Sequence, residues 1–182
     1  MNSFYTEEEL KELGLKHFGE NVLISRFARF YGIQNIEIGN NVRIDDFCIL
    51  SGKIKIGDYV HISAYTALYG SQGIVINDYC GCSAHSIIYS AMDDFSGDYM
   101  IGPMVPEDLT NVTGGPVILE KYVQLGANTT VMPNLTIGEG AVTGSCTLVR
   151  HDVDPWTVNI GIPSKVLKKR NNNLKELSKK IK

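Results

Sequence analysis

An aliphatic or other small apolar side chain returns every six residues along this chain. It does so at Ile38, Ile44, Leu50, Ile56, Ile62 and Leu68, then at Ile76, Cys82 and Ile88, and again at Leu119, Leu125, Val131, Ile137, Thr143 and Val149. A period of six is neither the 3.6 of a helix nor a plain strand alternation, so over this many residues it belongs to a repeating architecture. A second small or apolar residue stands four positions after each of these, as at Val42, Cys48, Val60, Thr66, Val123 and Ala141. Both sets can point into one narrow core while the residues between them face solvent. Gly39, Gly57, Gly126, Gly138 and Gly144 directly follow the periodic residue, where the backbone must bend.

The register extends back through Phe18, Ile24 and Phe30, and it widens to eight only between Phe30 and Ile38 and between Leu68 and Ile76. Counted in threes, both insertions fall after the third strand of a coil. The pattern therefore predicts an all-β parallel β-helix of about six triangular coils, four before an interruption and two after it, with both loops leaving the same edge. An antiparallel β-sandwich has no reason to keep one spacing across its turns.

With 182 residues, 43% of them hydrophobic, the chain can fill one such core. A net charge of −3 and a pI near 5.8 argue against binding to bulk nucleic-acid backbone. The opening stretch, Met1-Asn-Ser-Phe-Tyr-Thr-Glu-Glu-Glu, has no basic or apolar leader, and no apolar run approaches the length of a membrane span, so a cytoplasmic protein is expected. Cys48, Cys80 and Cys82 fall on core positions and Cys146 near a corner, as small core residues do in a reducing compartment, and no metal-ligand spacing is present.

One domain over residues 1–182 is expected. Residues 1–17 read as a helical cap, in which Thr6 and Glu9 form a capping box, Gly14 is the stop, and Leu10 and Leu13 cover the open end of the first coil. Residues 18–92 make the first coils and 116–150 the last. Between them, 93–115 is an ordered loop without the period, opening Asp93-Asp94-Phe95. Residues 151–182 contain the basic stretch Lys165–Arg170, and Leu174, Leu177 and Ile181 on one face of a short helix.

More specific than the period are Gly115-Pro-Val-Ile-Leu-Glu-Lys-Tyr-Val-Gln-Leu-Gly-Ala127, Thr136-Ile-Gly-Glu-Gly-Ala-Val142, Asp154-Pro-Trp156 and Gly161-Ile-Pro-Ser-Lys165. Through them the chain resembles the hexapeptide-repeat acyltransferases, especially the maltose and galactoside O-acetyltransferase branch and its relatives in surface-polysaccharide synthesis. The resemblance implies a left-handed β-helix and a homotrimer with three sites in the grooves between neighbouring β-helices. Acetyl-CoA is then the co-substrate, lying along the last coils, and no metal is needed. Residues 93–115 become an active-site loop and 151–182 a CoA-binding segment. Ala127 and Ser145 would hold the pantetheine arm at corners. Arg150, His151, Lys165 and Lys168 would meet the phosphates, and Trp156 and Pro163 would shape the nucleotide end.

In that branch the stretch matching Ile88-Tyr-Ser-Ala-Met-Asp93 ends in a histidine that takes the proton of the acceptor hydroxyl. Here it ends in Asp93, and a carboxylate is a far weaker base than an imidazole at neutral pH. Asp93, as base or as an orienting group, and His85, at a corner one hexad earlier, are the catalytic candidates. Ser63, Asp94 and His61 are candidates for binding substrate. A sugar amine needs less base assistance than a hydroxyl, so N-acetylation stands close beside O-acetylation. The expected function is acetyl transfer from acetyl-CoA to a hydroxyl or amine of a carbohydrate or nucleotide-linked sugar. A γ-type carbonic anhydrase would need three converging histidines, and His17, His61, His85 and His151 lack the close pair. A non-catalytic trimeric scaffold or CoA-binding relative is the remaining alternative.

Overall fold

The computed structural model describes residues 3–181, in which strands predominate and the only α-helices are α1 (Glu7–Glu12) and α2 (Leu174–Ser178). The strands wind into a parallel β-helix with three faces. On the first face Phe18, Ile38, Ile56, Ile76, Leu119 and Ile137 stack in register. Ile24, Ile44, Ile62, Cys82 and Leu125 do so on the second, and Phe30, Leu50, Leu68, Ile88, Val131 and Val149 on the third. Apart from Phe18 and Phe30, which are partly buried, each of these side chains is at most 2% exposed. One coil could not bury its own apolar face; burial comes from the coil above and the coil below.

Six complete coils form, four before the interruption and two after it. Val153, paired with Ile137, and the strand Thr157–Ile160 add two sides of a seventh. The six-residue register breaks before this rung, because Val153 follows Val149 by only four residues, and the inward residues of its second side are polar. Thr157 and Asn159 are both buried, and the Asn159 amide donates to the Thr157 hydroxyl at 2.8 Å. Lys165–Lys169 then folds back antiparallel onto Thr157–Ile160, so the basic stretch is a strand.

Call the edge between the first and second faces the first edge, that between the second and third faces the second, and that between the third and first faces the third. Both eight-residue spacings lie at the third edge, one as a 3-10 turn at Ile33–Asn35 and the other at the bend of the long strand Ala67–Ile76. The long interruption leaves from the same edge. Ala91–Asp93 pairs antiparallel with Val112–Gly114 to form a two-stranded arm, whose base is closed by the Gly115 N–H donating to the Ser90 carbonyl at 3.0 Å. The arm thus starts two residues before Asp93.

Helix α1 caps the open end as the sequence predicts. The Thr6 N–H donates to Glu9 at 2.7 Å, the Glu9 N–H to the Thr6 hydroxyl at 3.4 Å, and Leu10 is 3% exposed. Arg26, on the first coil, grips both Glu9 oxygens at 2.7 and 2.6 Å. The Arg26 guanidinium, followed by the Thr6 backbone N–H, holds the Glu9 carboxyl down at about 2. A carboxylate held low stabilises the fold above its unfolded value of 4.5 and ceases to do so as pH falls towards 2. Arg26→Ala is expected to flatten this acid limb in thermal melts taken between about pH 5 and pH 2. An acid limb of unchanged slope would show that the cap draws nothing from the pair.

Candidate active site

At the second edge the same three-residue turn recurs coil after coil: Ser25-Arg26-Phe27, Asp45-Asp46-Phe47, Ser63-Ala64-Tyr65, Ser83-Ala84-His85, Gly126-Ala127-Asn128 and Gly144-Ser145-Cys146. The N–H groups of His85, Asn128 and Cys146 donate to the carbonyls of Ala64, Ala84 and Ala127 at 3.1, 3.1 and 2.8 Å, so the turns stack directly on one another. The third residue of the turn is left-handed, with φ between 56° and 62° from Phe47 to Cys146. Behind the turns, the buried hydroxyls of Ser86 and Thr147 donate to the carbonyls of Ser83 and Gly144 at 2.7 and 2.8 Å.

Stacking gives this edge two distinct halves. Phe27, Phe47, Tyr65 and His85 form a ladder with centroid spacings of 5.7, 5.0 and 4.7 Å, the last pair only 2° from parallel. Above His85 the edge carries only Asn128, Cys146 and small residues. Gly126 has no space for a Cβ, which would lie 2.6 Å from the Gly144 backbone. The ladder therefore ends in bare backbone at Ala127 and Ser145, where an extended ligand can approach closely.

His85 is exposed and stacked on Tyr65. His61 is engaged elsewhere: its Nε2 lies 2.8 Å from Asp45, whose other oxygen accepts from Arg43 at 2.6 Å. Burial pushes the Asp45 carboxyl up, but these two partners outweigh it and leave it below its ordinary value. Ser63 and Ser83 occupy the same turn position one coil apart. Gln124 lies across Gly81, in space that a Cβ there would fill, and donates to the Ser83 hydroxyl at 3.0 Å. Ser83 was not a sequence candidate, although its equivalence to Ser63 was the signal for it.

Asp93 stands at the other side of the third face, on the arm. It lines two hollows of 410 Å³ each, one walled by Tyr89, Ala91, Met92, Phe95 and Met132 and the other by the loop from Gly102 to Val112. A further hollow of 660 Å³ adjoins the first, sharing Met92, Phe95 and Met132 and reaching Leu148 and Arg150. No histidine lines any of the three. Asp94 instead braces the loop, accepting from the Ser96 N–H at 2.7 Å and from the Asn111 amide at 2.8 Å, and these bonds lower its pKa.

The residues expected to bind the cofactor divide among the edges. The turn holding Pro163 lies over the top of the third face, where the Leu148 N–H donates to the Gly161 carbonyl at 3.0 Å and the Ser164 N–H to the Leu148 carbonyl at 2.8 Å. It brings Pro163 and Lys165 to the end of the chain that holds Ser145. Arg150 and His151 turn the third edge. Trp156 is at the first edge, continuing the stack of Tyr59, Tyr79 and Tyr122 over Gly140, whose φ of 67° and missing Cβ leave the indole its space. Lys175 lies 5.4 Å over that indole, and Arg170 donates to the Tyr122 and Gly140 carbonyls at 3.1 and 2.8 Å. Trp156 thus anchors the C-terminal tail, and Lys168 lies along the strand between it and the Pro163 turn. The apolar face of the tail is only partly covered: α2 stops at Ser178, Leu177 and Ile181 are each 46% exposed, and the helix is held by the 2.7 Å bond between Ser178 and the Tyr122 hydroxyl and the 2.7 Å ion pair of Lys175 with Glu139.

Residues 35–70 match the family model described as bacterial transferase hexapeptide (six repeats). The dTDP-4-amino-4,6-dideoxy-D-glucose acyltransferase of Escherichia coli is 44% identical over 178 residues, covering 96% of this chain and 93% of that one. The chain belongs to the hexapeptide-repeat transferases. AntD, an N-acyltransferase from Bacillus cereus solved with dTDP and 3-hydroxybutyryl-CoA, is 49% identical, with a TM-score of 0.96 over 98% of this chain and 96% of its own. Solved variants of AntD replace a serine and an aspartate ten positions apart, and their complexes contain coenzyme A. A maltose O-acetyltransferase from Clostridium difficile, at 24% identity and a TM-score of 0.54, shares the fold. The relatives at high identity are thus acyltransferases, one named for dTDP-4-amino-4,6-dideoxy-D-glucose and the other solved with that nucleotide-linked amino sugar.

The four thiols differ in a way that makes the bare half of the edge measurable. Burial pushes Cys48 up to about 11 and Cys80 to about 12, raises Cys82 as well, and leaves only Cys146 exposed. An aromatic disulfide reagent is expected to modify one thiol quickly in the folded protein, with the fast phase absent in Cys146→Ser. A fast phase that survives this substitution would mean that the coils open far more readily than their packing implies.

Proposed function

We propose that this family member transfers an acyl group from a CoA thioester to the amine of a nucleotide-linked 4-amino-4,6-dideoxy sugar. The observation that carries the reading is the carboxylate Asp93 at the end of the arm, in a hollow that no histidine lines. Ser83 stands ten residues before it, the spacing of the two positions varied in AntD. A hydroxyl acceptor needs a base strong enough to take its proton as it attacks, whereas the free-base form of an amine attacks unaided.

In the proposed step the amine nitrogen attacks the thioester carbonyl carbon and a C–N bond forms. The C–S bond then breaks, and the proton shed by nitrogen leaves on the thiolate as CoA thiol. Asp93 accepts a hydrogen bond from the acceptor and fixes the nitrogen's direction of approach, while Ser83 positions the acceptor from the other side. The pantetheine arm lies along Ala127 and Ser145, with Lys165 meeting phosphate beyond the Pro163 turn.

Within one chain Ser83 and Ala127 lie on the second edge and Asp93 beyond the third, with the strand Ile87–Tyr89 between them. The reading therefore includes a homotrimer in which the arm of one copy meets the second edge of the next. Apolar side chains left uncovered on the arm and loop fit this arrangement: Phe95, Ile101 and Met104 are 71%, 53% and 94% exposed.

Purified protein with acyl-CoA and dTDP-4-amino-4,6-dideoxyglucose is expected to release CoA thiol, and maltose or galactosides to release little. Asp93→Ala should lower kcat by about 100-fold, Ser83→Ala by about tenfold, and His85→Ala far less than either. CoA should also slow modification of Cys146. Equal turnover of a plain sugar, or loss of activity confined to His85→Ala, would move the reading to O-acetylation with His85 as base.

A further inference from the structure

We propose that the apolar hollow beside Asp93 takes the acyl chain of the CoA donor, and that the preferred donor carries a short chain longer than acetyl. The inference rests on the acyl-transfer reading and adds the class of donor to it. The 410 and 660 Å³ hollows share Met92, Phe95 and Met132 as walls, with Asp93 lining the first and Leu148 and Arg150 the second. Among the molecules this reaction brings together, the sugar nucleotide is polar and anionic, and so is the adenosine end of CoA. The part that must lie beside the reacting amine and is apolar is the chain beyond the thioester carbon. An acetyl methyl touches little of such a hollow, whereas each added carbon removes more of the methionine and phenylalanine walls from water, and methionine adapts to chains of differing shape.

Chain length does not alter the bond changes: C–N forms, C–S breaks, and the proton departs with the thiol. It enters only through contact with the walls. The 3-hydroxybutyryl-CoA bound by AntD is a donor of this class. Arg150, which lines the far end of the hollow, then faces a polar substituent of the acyl chain and not a CoA phosphate.

The test is calorimetric titration of the full chain with CoA, acetyl-CoA, butyryl-CoA and 3-hydroxybutyryl-CoA, followed by turnover of the same donors with dTDP-4-amino-4,6-dideoxyglucose. Two added carbons entering an apolar pocket should tighten butyryl-CoA binding by about tenfold or more over acetyl-CoA. Met132→Trp, which narrows the hollow, should bring that ratio towards one. Leu148→Phe serves the same purpose should the first variant melt early. Equal or weaker binding of butyryl-CoA by the unaltered protein overturns the proposal. So does a narrowing variant that keeps its molar mass by light scattering and still prefers butyryl-CoA as strongly as the unaltered protein. A butyryl preference in binding with no turnover of the amino sugar would leave this inference standing and remove the acceptor reading alone.

Discussion

Like stacks on like in this molecule, because each coil can bury its aliphatic side chains only against the same positions of the coils above and below. Ile38 under Ile56 under Ile76, with Ile44, Ile62, Leu50 and Leu68 in the other columns, fixes the register of every backbone ladder. A slip of one residue would turn each inward side chain outward on all three faces. That constraint reaches the surface. The turn residues of successive coils are stacked as strictly as the core, so an edge becomes a column of one residue type until the sequence changes. At the second edge the change comes between His85 and Asn128, and the edge passes there from an aromatic ladder to exposed backbone.

The same constraint decides where the chain can depart from the helix. A strand cannot lengthen without breaking two ladders, but a corner can. Both eight-residue spacings and the long arm accordingly leave from the third edge, and the arm carries its own antiparallel pairing from Ala91 to Gly114, so its backbone groups have partners outside the coil. Asp93 is consequently held on a two-stranded stem and not on a free loop. The stem defines the direction in which the carboxylate faces the hollow walled by Met92, Phe95 and Met132.

Legibility in the sequence follows where burial is apolar and where it is not. The columns, the coil count on either side of the interruption, the shared edge of the insertions and the capping box of Thr6 and Glu9 were all readable, because each is written in residue type at fixed spacing. The seventh, partial coil was not, because Val153 follows Val149 by four residues and not six, and Thr157 and Asn159 satisfy each other inside it without adding an aliphatic signal. Lys165–Arg170 carries only the pattern of a charged segment, yet Arg170 turns inward to two carbonyls while the lysines stay exposed along a strand. Trp156 was legible as a fixed feature of the C-terminal sequence but not as to edge. Its place depends on Gly140 leaving space above Tyr122, which is a relation between two coils. Ser83 shows the reverse case, since the repeat that identified Ser63 already marked it as the equivalent position one coil on.

Replacing a histidine by an aspartate at the end of the arm changes what the acceptor must be more than it changes the fold. An imidazole can receive a proton at neutral pH and so allows a hydroxyl to attack; a carboxylate in the same place can orient a donor N–H but takes its proton reluctantly. On the proposed reading the site is offered a nucleophile that attacks without first giving up a proton, and the free-base amine of a 4,6-dideoxy sugar is such a group. The proton it sheds after attack has a natural destination in the CoA thiolate, formed in the same event and close to the nitrogen. Catalysis on this account rests mainly on holding the two substrates in line. A β-helix can hold them so because its edges are rigid columns. On the proposed reading, a thioester laid along Ala127 and Ser145 meets an acceptor held between Ser83 of one copy and Asp93 of the next with little left to reorganise.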